Sequence, residues 1–108
     1  MAGPVVAAGD SFDGVYTGKR VATKGPLGQC PAEESVSVTI NDGVLTVTTS
    51  ELRNYAIGFD PHPDGTFTVT HVDAGGRVVE IRGRITGGVL NADVINPPCE
   101  YHWRLEKK

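Results

Sequence analysis

From Ser35 to Asn41 the chain alternates strictly, with Val36, Val38 and Ile40 on one side and Ser37 and Thr39 on the other. Successive side chains of a β-strand point to opposite faces, so a period of two describes a strand with one buried and one wet face. Asn41-Asp42-Gly43 interrupts the pattern, and Val44 to Ser50 resumes it with Leu45 and Val47 on the apolar side. Alternation on both sides of an Asp-Gly is a hairpin signature, because glycine accepts the positive φ that a tight reversal needs.

The unit recurs. Ala56 to Phe59 leads through Pro63-Asp64-Gly65 into Thr66 to Val72, where Phe67 and Val69 share a face. Val78 to Thr86 sets Val79, Ile81 and Ile85 together, reverses at Gly87-Gly88, and returns as Val89 to Ile95 with Leu90, Ala92 and Val94 inward. Gly43, Gly65 and Gly88 stand 22 and 23 positions apart, a hairpin-sized rhythm.

The two ends extend the series. Phe12 to Lys24 reads as a first strand anchored by Tyr16, with Gly14 and Gly18 permitting curvature. Cys99 to Glu106 reads as the last, with Tyr101, Trp103 and Leu105 facing one way and Glu100, His102 and Arg104 the other. The expectation is an all-β domain of about eight antiparallel strands in an up-and-down meander. Such a sheet removes its exposed edges by closing, which pairs the first strand with the last. A small closed barrel is therefore expected over residues 12–108, with a two-sheet β-sandwich as the alternative. An eight-strand barrel has an interior that side chains fill or that admits one small ligand.

Residues 1–11 stand apart from this pattern. Ala2 to Ala8 are small and apolar, and Val6-Ala7-Ala8 ends in the small-x-small form that precedes signal-peptide cleavage. This segment reads as flexible, a remnant of an export signal. The cysteines agree with export: Cys30 and Cys99 lie 69 positions apart, each beside a proline and at the edge of a predicted strand. Neither has a second Cys or a His at zinc-site spacing, so the pair reads as a disulfide rather than a metal site. The expected location is periplasmic or secreted.

Charge narrows the partners. The net charge is −3 and Lys and Arg are scattered, without the basic stripe of a nucleic-acid binder. No apolar run reaches the roughly 18 residues needed to span a bilayer as a helix. Asp60-Pro61-His62-Pro63-Asp64-Gly65 opens like a calcium loop, but its twelfth position holds His71 where a bidentate Glu is required. That stretch reads as a turn, and neither a metal nor a cofactor is expected. His62, His71 and His102 have no serine elbow beside them, so no catalytic set is assigned, and an enzyme would have to use His71 or His102 with Asp93 or Glu100.

Two candidate binding sets remain. Tyr16, Phe67, Tyr101 and Trp103 are the aromatics that would line a ligand pocket if the barrel interior were open. Arg82, Arg84, Asp93, His102 and Arg104 share the polar face of the C-terminal strands, where Arg82 or Arg84 would approach Asp93, and Asp93 would approach His102 or Arg104. They are either cross-strand charge pairs or a recognition patch for an anionic partner.

The run Phe12-Asp13-Gly14-Val15-Tyr16-Thr17-Gly18, the following Cys-Pro, the Asp-Gly hairpin and the closing Cys99-Glu100-Tyr101-His102-Trp103-Arg104-Leu105 together resemble small, uncharacterised exported β-domain proteins of proteobacteria. The resemblance spans most of the chain. It implies a periplasmic or secreted, disulfide-bonded domain and no particular activity. The plan is also similar to that of periplasmic barrel-type inhibitors of metalloproteases, which act through an N-terminal segment, although no motif is shared residue by residue. The functional expectation is a non-catalytic binding module for an unknown small molecule or protein. A protease inhibitor acting through residues 1–11 is the first alternative and an unrecognised hydrolase the second.

Overall fold

A computed structural model of the chain describes residues 12–26, 28–30, 32–49, 55–72 and 75–108. Among these residues the alternating segments form eight strands: β1 (Gly14–Lys24), β2 (Glu33–Asn41), β3 (Val44–Thr49), β4 (Tyr55–Gly58), β5 (Thr66–Val72), β6 (Val78–Thr86), β7 (Val89–Asn96) and β8 (Cys99–Lys107). All ladders are antiparallel, and the strand order is β4-β3-β2-β1-β8-β7-β6-β5. The meander curls into a nearly closed barrel. As the edge argument requires, β1 pairs with β8, from Tyr16 opposite Lys107 to Lys24 opposite Glu100.

The remaining gap lies between β4 and β5, which are sequential in the chain and stand at opposite ends of the sheet order. Side chains cover part of this seam. Phe59, just after β4, packs edge-on against Phe67 of β5 with ring centroids 5.0 Å apart. The two-sheet alternative does not hold, because one continuous sheet carries every strand.

Alternation sorts the residues as the sequence pattern implies. Val36, Val38, Ile40, Leu45, Val47, Val69, Ile81, Leu90, Val94 and Leu105 are buried inside, and their strand neighbours face out. One row across the interior is Phe67, Gly83, Ala92 and Trp103, each opposite the next in the ladders. Two large rings at its ends leave room only for small residues between them. A Cβ on Gly83 would lie 2.9 Å from the Phe67 ring and 2.7 Å from the Ala92 methyl, and closer still to the Asn91 carbonyl oxygen.

The disulfide ties the β1–β2 connection to the start of β8. Cys30 and Cys99 are bonded with their Cα atoms 5.8 Å apart. Gly25 passes directly over the bridge at φ +136°, and any side chain there would collide with the Cys30 sulfur.

Two measurements test this packing. Replacing both cysteines by alanine opens a loop closed over 69 positions, and denaturant unfolding should show a loss of about 4 kcal/mol on the chain-entropy account; an unchanged midpoint would mean the bridge does not constrain the unfolded chain. Gly83→Ala should cost roughly 1–3 kcal/mol through overpacking against Phe67, whereas a rise in melting temperature would show that the row has slack.

Candidate functional site

The interior is a packed core. Tyr16, Phe67, Tyr101 and Trp103 are exposed by only 1%, 4%, 3% and 1%, and all four belong to one hydrophobic cluster. These aromatics fill the barrel between facing strands. Tyr16 also donates its hydroxyl to the Phe12 carbonyl at 2.6 Å. Burial, with the nearby Asp13 carboxylate adding to it, pushes its pKa above the ordinary value, so the phenol stays a neutral donor.

One charge lies within the wall of this core. Arg20 shares the inward side of β1 with Tyr16 and is 3% exposed. Its guanidinium meets Glu34 at 2.9 Å across the β1–β2 ladder and lies 4.2 Å from the Tyr101 ring centroid. An ion pair combined with an aromatic face offsets the desolvation of a buried cation. This pair holds β1, β2 and β8 together near the disulfide end.

The second candidate set is outside, and the ladders assemble it. Arg82 stands opposite Asp93, and Asp93 opposite His102, forming one transverse row on the outward face of β6, β7 and β8. His102 Nδ1 and Asp93 Oδ1 are 3.0 Å apart. The neighbouring row runs Arg84, Asn91, Arg104 and then Lys19 of β1. Thus all five expected patch residues share one wall, and Lys19 and Asn91 join them. The pairing of β1 with β8 is what recruits Lys19. Gly18 permits it, since a Cβ there would strike the Arg104 carbonyl oxygen.

The cations of this wall are committed to different degrees. Arg82 is paired with Glu80 on its own strand, and Lys19 with Glu33 at 3.1 Å, with both of the latter side chains more than half exposed. Arg84 donates from Nε to the Asp64 carbonyl at 3.3 Å. Arg104 is exposed and has no ion-pair partner among the described residues.

Beyond Lys19 the wall becomes hydroxylic. Thr17, Ser37 and Thr48 stand opposite one another across β1, β2 and β3, and Ser35 stands opposite Lys19. With Lys19, Gly18 and Val36 they line an open cleft of about 580 Å³. A second cleft of about 240 Å³, lined by Ala22, Lys24, Pro26 and Cys30 among others, reaches the disulfide from the side of Cys30. Sequence reading missed the first cleft because strand alternation shows that these hydroxyls face out but not which strands lie side by side.

Among the described residues no three or more His, Cys, Asp or Glu side chains converge as a metal-binding group. Asp64, in the calcium-like stretch, is used within its own turn: its Oδ1 accepts from the Thr66 amide at 3.0 Å and the Thr66 hydroxyl at 2.6 Å. His102 does meet Asp93, but its other ladder neighbour is Val21, so no hydroxyl or thiol stands across from it. His71 lies on the inward side of β5, away from that pair. Residues 1–11, to which the inhibitor reading assigns the action, lie outside the described residues. No described helix is long and apolar enough to cross a membrane.

Comparison with known proteins yields no match: no family model, curated protein or solved structure is similar to this chain.

The Asp64 turn gives a pH test. Hydrogen bonds from the Thr66 side chain and backbone hold the Asp64 carboxyl below its ordinary value of 3.8, with the charge of Arg84 a smaller cause. The ionised form is the one stabilised by folding, so the contribution is present above that ordinary value and is lost as pH falls through the lower, folded one. In an NMR titration Asp64 should titrate below 3.8, and Thr66→Val should move its midpoint up. The same midpoint in both proteins would rule out the turn as the cause.

Proposed function

We propose that this protein is a non-catalytic binding module of an oxidising, extracytoplasmic compartment, and that it recognises an anionic partner on the outer wall of β6, β7, β8 and β1. The observation that carries this reading is the row Arg84, Asn91, Arg104 and Lys19, set side by side by three successive ladders. The registers bring three cations into one line on a protein of net charge −3, with Arg104 among them free of an ion pair among the described residues. Arg104 at its centre is exposed, and its planar fork suits a carboxylate or similar acid.

Two further features support the reading. Tyr16, Phe67, Tyr101 and Trp103 are buried within one hydrophobic cluster, whereas the cationic row faces outward. A disulfide is at home in an oxidising compartment. The outer wall is thus where these charged side chains are open to a partner.

The reading is tested by following amide shifts of labelled protein as a small polycarboxylate such as citrate is added. Shifts clustered on Lys19, Asn91 and Arg104 are expected, and Arg84→Ala with Arg104→Ala should remove them while changing the melting temperature by no more than about 4 °C, as for surface substitutions in a domain of this size. Shifts confined to core aromatics, or no shifts at all at low salt, would overturn it.

A further inference from the structure

Resting on that reading, we infer that the wall takes an acidic polysaccharide, with the cationic row holding its carboxylates and the Thr17–Ser35–Ser37–Thr48 cleft holding its hydroxyls. The row and the cleft form one continuous track. Arg84, Asn91, Arg104, Lys19 and Ser35 follow one another from β6 to β2 through consecutive register pairs. The parallel row Val89, Glu106, Thr17, Ser37 and Thr48 runs beside it from β7 to β3. Such a track crosses the strands, whose spacing is about 4.8 Å. That spacing is close to the advance per sugar of an extended glycan, so successive sugars would meet successive strands.

The chemistry of the track separates a glycan from other polyanions. Arg104 has carboxylates on both sides along its face: Asp93 in the row above and Glu106 in the row below. A phosphate polymer has acceptors only and offers neither carboxylate a hydrogen-bond donor. A uronic acid polymer carries one carboxylate per sugar and several hydroxyls besides. Its acid would reach Arg104 or Lys19, and its hydroxyls would donate to Asp93 and Glu106. The serine and threonine hydroxyls at the β2–β3 end both donate and accept, which suits a sugar hydroxyl and discriminates weakly among simple anions. The cleft there has a volume of about 580 Å³, within the range of small-ligand sites.

The experiment compares three probes at equal ionic strength by isothermal calorimetry and amide shifts: an oligogalacturonate, a polyphosphate of equal charge, and a neutral oligosaccharide of equal length. The oligogalacturonate is expected to bind most tightly, with shifts along β8, β1 and β2. Arg104→Ala should weaken it about tenfold, the loss of one charge-assisted hydrogen bond. Thr17→Val with Ser37→Ala should weaken it about threefold or more while leaving citrate shifts at Arg104 unchanged. Both variants keep the buried face intact, and their melting temperatures report whether they fold. Polyphosphate binding as tightly as the oligogalacturonate would overturn the glycan assignment and leave the anion-binding wall standing. Equal binding of the neutral sugar, or oligogalacturonate shifts away from the track, would also overturn it. Failure of every anion, citrate included, would overturn the wall reading itself.

Discussion

The pairing of β1 with β8 is the interaction on which the rest depends. Without it the chain would be two separate meanders, β1 to β4 and β5 to β8, each with a bare apolar face and two exposed edges. Their union makes a single sheet that curls on itself, gives the apolar side chains a common interior, and leaves the short seam between β4 and β5 to be bridged by Phe59 and Phe67. The pairing needs a close backbone approach, which Gly18 permits by having no Cβ to strike β8. The disulfide reinforces the same join from its far end, because Cys99 opens β8 and Cys30 hangs from the connection that follows β1. Arg20 adds a third tie, reaching Glu34 on β2 and Tyr101 on β8 from its place on β1.

That join also creates the wall proposed to bind. Lys19 belongs to the first hairpin and Arg104 to the last strand, and they are 85 residues apart in the chain (104 − 19). Their adjacency follows from the register that closes the barrel. The proposed recognition surface therefore shares a device with stability: the ladder that buries Tyr16, Trp103 and Leu105 on one face lines up Arg104, Lys19 and the hydroxyl cleft on the other. A side chain at position 18 would disturb both, since the Cβ would push against the carbonyl of Arg104 itself.

Much of the fold was legible because a period of two is unambiguous when the turns are marked. The strands containing Val36, Leu45, Ile81, Leu90 and Trp103 and the inward set on each lie where alternation places them. That Arg82 or Arg84 approaches Asp93, and Asp93 approaches His102 or Arg104, was legible too, because hairpin-linked strands lie side by side; the register then chose Arg82 and His102. The buried Arg20 had a readable signal, four residues on from Tyr16 and so on the same face, but a cation in that position gives no hint of whether Glu34 or water receives it. The aromatic set was recognisable as inward-facing; whether it lined a cavity depended on whether the volume of Phe67 and Trp103, set against Gly83 and Ala92, filled the space.

By itself the sequence determined the strands, the face each residue takes and the turns, since these follow from local alternation and from glycines that accept positive φ. It also placed two cysteines at strand edges where a bridge is feasible. Only the tertiary structure decided that Arg20 is buried against Glu34 and Tyr101, that the open seam falls between β4 and β5, and that Lys19 and the hydroxyls of β1 to β3 continue the row begun by Arg84 and Arg104. Those outcomes depend on register between distant strands and on summed side-chain volume, and neither is encoded in any single stretch of the chain.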